Sequence, residues 1–259
     1  MRLKYILALI IAGVFIMPRG NPDYLILSTQ TIRQTDASEY MSAYDIGFAR
    51  LDQGGRVIWF DDFRAGLYRN ALGKNFAGLY PALDTSAGKM FGFHPSAILD
   101  PVSLNGQSVM TKLFPAAASG IIGLELAIYM PANHGTFGAE FGAVNNDEVG
   151  WFGAFTIQHT TNIVTITTDA GDVPIYTPGF AGYMEDKYIG IKITMDPATG
   201  QYQSILIGGT RVDITHLNAT DQLGSMNGTA YYAASVFGGT GTKVEPCYVG
   251  YVIMTADEP

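Results

Sequence analysis

IIGLELAIYMPANHGTFGAEFGAVNNDEVGWFGAFTIQ, residues 121–158, is the stretch whose reading decides the fold. In 121–130 the even positions Ile122, Leu124, Leu126, Ile128 and Met130 are all apolar, while Gly123, Glu125 and Ala127 fall between them. Phe137, Ala139, Phe141 and Ala143 repeat the pattern after PANHG, with Glu140 on the opposite parity; Val149, Trp151, Gly153, Phe155 and Ile157 repeat it again after NND. Strict alternation over eight or more residues is the signature of a strand with one buried face. Joined by short links, the three strands read as a meander.

Working outward, strands are expected at 56–63, 89–93, 108–114, 162–168, 187–195, 201–207, 229–237 and 248–254, with 64–80 irregular. In 187–195 the apolar row is Ile189, Ile191, Ile193 and Met195, and DPATG (196–200) has the early Pro and late Gly of a hairpin turn. Helical periodicity is nearly absent; one short helix is expected at 36–44, capped by Asp36 with Glu39 three residues on. The fold class is therefore all-β: an antiparallel jelly-roll β-sandwich with an N-terminal extension. The expected division is 1–45 as extension and 46–259 as the sandwich.

Composition agrees. Hydrophobic residues make up 47% and charged residues 15% of 259, enough for a sizeable core, and 31 glycines suit many tight turns. The net charge of -8 and the lack of a Lys/Arg cluster argue against a nucleic-acid partner. The single cysteine, Cys247, excludes an internal disulfide and a CxxC motif, and reads as a small buried residue of the last strand.

The N-terminus has two readings. Arg2 and Lys4 precede an apolar run from Tyr5 to Met17, as in a secretory signal, but no small-x-small cleavage site follows. The alternative is an uncleaved arm that docks on a neighbouring subunit through Ile6, Leu7, Leu9, Ile10, Ile11, Val14 and Phe15.

Two stretches, VIWFDDF (57–63) and IGIKITMDPATGQYQSILIGG (189–209), resemble concanavalin-A-like jelly-roll domains of the lectin and glucanase type. The chain is similar to uncharacterised bacterial and phage proteins of that kind. The resemblance implies two sheets, often with one concave face, and carries no activity over. The Glu-x-Asp-x-x-Glu strand of family-16 glucanases is missing: Glu125 has neither the Asp at +2 nor the Glu at +5.

Glu125 and Glu140 are the sharpest candidates for chemistry. In a meander turning at 131–135 they stand opposite or one step diagonal, with Cβ atoms about 4.5–5.5 Å apart. That is close to the about 5–5.5 Å between the carboxyls of retaining glycosidases. Tyr129 and Phe152 would share their face and stack on a sugar, with Asn145 as a further contact. Asn145, Asp147 and Glu148 are weak calcium candidates and equally an ordinary Asn/Asp turn. His94, His134, His159 and His216 show no zinc spacing, and Gly-x-Ser-x-Gly, P-loop and dinucleotide fingerprints are absent. No cofactor is expected.

Two functions follow. The favoured one is a non-enzymatic structural or surface assembly protein, of virion-surface or decoration type, partnered by identical or other structural subunits as a homo-oligomer. The other is a secreted glycan-binding protein, or a glycoside hydrolase using Glu125 and Glu140. The expected location is a virion surface or the extracellular space.

Overall fold

A computed structural model describes residues 56–258 apart from 68–69, 76–77, 87, 92–94, 103–104, 116–119, 133, 145–148, 159–162, 176–187, 209, 224–228 and 239–244. The N-terminal arm, the expected helix at 36–44 and the Asn145, Asp147 and Glu148 set lie outside the described residues.

Among these, sixteen strands and no helix are found: β1 (Arg56–Asp61), β2 (Ala71–Asn75), β3 (Ala82–Asp84), β4 (Ser96–Leu99), β5 (Gln107–Pro115), β6 (Ile121–Tyr129), β7 (Thr136–Val144), β8 (Val149–Ile157), β9 (Val164–Thr168), β10 (Gly171–Ile175), β11 (Tyr188–Met195), β12 (Tyr202–Ile207), β13 (Thr210–Asp213), β14 (Thr220–Leu223), β15 (Thr229–Phe237) and β16 (Cys247–Glu258). They form two antiparallel sheets. Sheet A runs β13-β12-β11-β6-β16-β4-β3, with β1 also on β16; sheet B runs β10-β9-β8-β7-β15-β5-β2, with β14 on β8. This is the jelly-roll sandwich expected from the alternation.

The apolar rows face each other between the sheets. Leu124, Leu126, Ile191, Ile193 and Met254 from sheet A meet Phe137, Phe141, Phe155, Ile166 and Tyr232 from sheet B in one core. Cys247 is fully buried there, and burial pushes its thiol well above the ordinary range.

One expectation is corrected. β6, β7 and β8 are not a meander. β7 and β8 do pair, but β6 lies in sheet A between β11 and β16, and residues 131–135 carry the chain across to sheet B. His134 N–H donates to Pro131 O at 3.2 Å within that crossing. Gly135 allows β15 to approach: a Cβ there would come 2.3 Å from Phe237 O. Two smaller expectations also change. Lys89 and Met90 sit in a turn rather than a strand, and β2 lies within 64–80, which the sequence marks as irregular.

The 196–200 turn forms as expected. Asp196 Oδ1 accepts from Ala198 N at 2.8 Å, Gly200 N donates to Asp196 O at 2.8 Å, and Gly200 takes φ 73°. The following strand supplies a clamp between the sheets. Tyr202, fully buried, reaches from β12 into sheet B, where its hydroxyl accepts from Ala154 N at 2.9 Å and donates to Thr167 O at 2.8 Å. Gly153 makes room for the ring: a Cβ there would stand 2.9 Å from it.

Removing the Tyr202 hydroxyl leaves a buried amide and carbonyl without that partner, which costs about 1–3 kcal/mol. Tyr202→Phe is therefore expected to lower the unfolding free energy by that amount, read as a lower urea midpoint at an unchanged m-value; an unchanged midpoint would show the clamp to be idle.

Candidate functional site

A strand in a sandwich sends alternate side chains to the core and to the outside. Because β6 and β7 belong to different sheets, Glu125 and Glu140 leave the sandwich through opposite outer faces. The expected carboxylate pair is thus not assembled, and Tyr129 and Phe152 are separated in the same way. The reason is the crossing at 131–135: a five-residue link closes a hairpin or spans two packed sheets equally well.

The sheet A face is a buried polar network. Glu125 is 2% exposed and accepts from the Tyr251 hydroxyl at 2.9 Å. Lys192, directly across from Glu125 on β11, is also 2% exposed, and its ammonium lies 2.8 and 3.0 Å from the two Glu258 carboxylate oxygens. Thr255 Oγ1 donates to Glu258 as well. Gly123 keeps the path open, since a Cβ there would lie 3.1 Å from the Glu258 carboxylate. Burial first, then the charge of Glu125, pushes the Tyr251 phenol well above its ordinary value, so it stays a donor.

At the other end of this face Tyr129 is 7% exposed among other rings. Lys89 Nζ donates to its hydroxyl at 2.6 Å and stands 3.9 Å from its ring centroid. Tyr188 and Tyr248 lie 5.5 and 5.6 Å from it, centroid to centroid. Burial, ahead of several nearby negative groups, raises the Tyr248 phenol to about 12. Tyr129 is thus held in packing rather than presented to a ligand.

The outer face of sheet B is different. Glu140 on β7 is exposed and stands between Ala233 of β15 and Ala154 of β8. One step along, Gly142 lies between Tyr231 and Phe152; one step the other way, Gly138 lies between Ser235 and Thr156. The Phe237 ring, 42% exposed, leans over that second row, 3.8 Å from where a Gly138 Cβ would be. Tyr231 leans over the first, 2.9 Å from a Cβ on Gly142. The result is a trough with a floor of Gly and Ala, one carboxylate at its centre, and aromatic rings at both ends.

Desolvation raises the Glu140 carboxyl above its ordinary value; burial, and next the Glu140 charge, raise the Tyr231 phenol. The next carboxylate along the Glu140 row is Asp172 on β10, reached through Ala154 of β8 and Thr167 of β9. Three strand spacings put it about 14 Å away. Among the described residues no group of His, Cys, Asp and Glu could hold a metal ion. Tyr231 and Phe237 escaped the sequence reading. Their signal was present: both are aromatic at the outward parity of β15, YYAASVF.

No protein-family model matches the chain, and no curated protein matches it in sequence. Solved structures do resemble it. Metal-free lectin I-B4 from Griffonia simplicifolia is 8% identical with a TM-score of 0.43, the match covering 71% of this chain and 92% of the lectin. The endo-β-1,3-glucanase of Pyrococcus furiosus is 12% identical with a TM-score of 0.45, covering 80% and 97%. A conserved carbohydrate esterase from the Shiga toxin-encoding bacteriophage phi24B is 8% identical with a TM-score of 0.48, covering 79% and 100%. These are likenesses of fold alone.

The two outer faces should respond oppositely to the loss of a charge. A carboxyl whose folded-state pKa lies above its unfolded value penalises the fold when ionised, fully above the folded value and not at all below the unfolded one. Glu140→Gln should therefore raise the melting temperature slightly at neutral pH, since the group is exposed and screened, and the gain should fade as the solution is acidified through the carboxylate range. Lys192→Met, which strands a buried carboxylate, should lower stability by about 3–5 kcal/mol. Thermal melts of both variants across pH check the contrast; a destabilised Glu140→Gln at neutral pH would overturn this reading of the trough.

Proposed function

We propose that the protein is a non-catalytic glycan-binding surface protein, and that the trough on sheet B is its binding site. The observation that supports this most is Glu140 held on a Gly/Ala floor between aromatic rings. A pyranose offers an apolar face of C–H bonds and a rim of hydroxyls. Tyr231, Phe152 and Phe237 suit the first. Glu140, an acceptor only, suits hydroxyl donors, and Ser235 and Thr156 supply hydroxyls beside it. Glycines at 138 and 142 let the Phe237 and Tyr231 rings lie close to the sheet and frame Glu140.

Hydrolysis is not part of the reading. Glycosidases of both stereochemical types set two carboxyls within about 5–9.5 Å. Glu125 is on the far side of the sandwich, and Asp172 lies beyond that range. A neutral or amino sugar suits an acidic trough in a chain of net charge -8 better than an anionic one. Such a protein meets glycans outside a cell or on a virion surface, where a rigid sandwich presents one face outward. The assembly role through the N-terminal arm depends on residues outside those described, and is not needed for this function.

A glycan array followed by calorimetry tests the proposal. The full chain is expected to bind neutral glycans. Glu140→Gln should weaken binding roughly 10–100-fold, the worth of a hydrogen bond to a charged group. Phe152→Ala should weaken it too, with the fold intact by circular dichroism. An array with no binding, or undiminished affinity in Glu140→Gln, would refute the assignment.

A further inference from the structure

Glu258 is matched by the Lys192 ammonium, Asp62 by Arg64 and Glu125 by the Tyr251 hydroxyl. Glu140 stands differently. Its row on the outer face of sheet B runs Thr111, Ala233, Glu140, Ala154, Thr167 and Asp172, from β5 to β10. Among the described residues no lysine or arginine occupies an outward position of this sheet: Lys74 and Lys112 fall on the inward parity of β2 and β5. Among the same residues no hydrogen bond or ion pair reaches the Glu140 carboxylate.

Two rings stand beside that charge. Ala233 and Ala154 lie directly across from Glu140, so Tyr231 and Phe152, two residues along, are its diagonal neighbours at about 7–8 Å. Tyr231 leans over Gly142 between them, and its phenol feels the Glu140 charge. An aromatic ring is negative on its face. That face holds a ligand cation lying within about 6 Å of the ring centroid, and a carboxylate alongside adds a charge-assisted hydrogen bond.

A sugar hydroxyl gives the carboxylate a hydrogen bond and leaves its charge unmatched. Desolvation holds the Glu140 carboxyl above its ordinary value, so its ionised form gains most from a ligand that brings the opposite charge.

We propose that the trough takes a cationic glycan, an amino sugar whose free ammonium sits over the Tyr231 and Phe152 rings against Glu140. This inference rests on the glycan reading and names the ligand class for it. The C–H face of the sugar still packs on the rings, and the amine is what the carboxylate selects. Acetylation of that amine removes the charge and most of its donors. An anionic sugar is repelled by the same carboxylate.

Calorimetry of the full chain near neutral pH, with glucosamine oligomers and with N-acetylglucosamine oligomers of equal length, tests it. The free-amine form is expected to bind roughly tenfold tighter, because a hydrogen bond to a charged group outweighs a neutral one. The difference should shrink as salt is added and vanish in Glu140→Gln. General attraction between a polycation and a chain of net charge -8 survives that substitution, which removes a single charge. A preference retained in Glu140→Gln would therefore overturn the proposal. Equal affinities for the two oligomers would overturn it as well and leave the glycan reading standing. Binding of neither oligomer would end the cationic ligand, while the array of neutral glycans decides the broader reading separately.

Discussion

Everything about this molecule's surface follows from the point at which the chain changes sheets. A β-sheet with one apolar face must bury it against another. β6 and β7 do so by lying in different layers, so their apolar rows press together and their polar positions point away from each other. The link at 131–135 is compact because His134 is buried and Gly135 admits β15 at backbone distance. A side chain at 135 would push β15 off β7, and with it the row that frames Glu140.

Once the layers are set, the two glutamates have opposite electrostatic settings. A buried charge costs several kcal/mol unless it is paired and hydrogen-bonded. Glu125 has the Tyr251 hydroxyl, and Glu258 has Lys192 and Thr255; these groups complete one another and have nothing left to offer a ligand. Glu140 instead stands on a floor of alanines and glycines, where an alanine or threonine would serve the fold as well. A local choice that works against stability without a structural return sets Glu140 apart from the residues that hold the fold.

Much of this was legible in the sequence, and the losses have definite causes. Alternation identified the described inward side chains of β6, β7 and β8, because parity along a strand does not depend on which strand lies beside it. The partner of β6 was not legible, because a five-residue link fits both a hairpin and a crossing between sheets. That one ambiguity placed Glu125 with Glu140 and Tyr129 with Phe152. The burial of Glu125 had a faint trace: Lys192 interrupts the isoleucines of β11, a lone cation in an apolar strand that requires a partner. The short strands β2, β3, β4, β10, β13 and β14 were missed because three to five residues cannot establish a period.

The two outer faces differ in how freely they can change. On sheet A, Glu125, Lys192, Thr255 and Glu258 form a set in which removing one member leaves another charge or hydroxyl buried without its counterpart, so substitutions there act together. On sheet B the trough residues share a floor, and the hydrogen bond described among them runs from Ser235 Oγ to Gly138 O at 3.5 Å. Tyr231, Phe152 and Phe237 stand at the outward parity of their strands, so the inward row makes its contacts on the other side of the backbone. The core and the sheet A network hold the fold, while Glu140 and its neighbours on sheet B stand outside both.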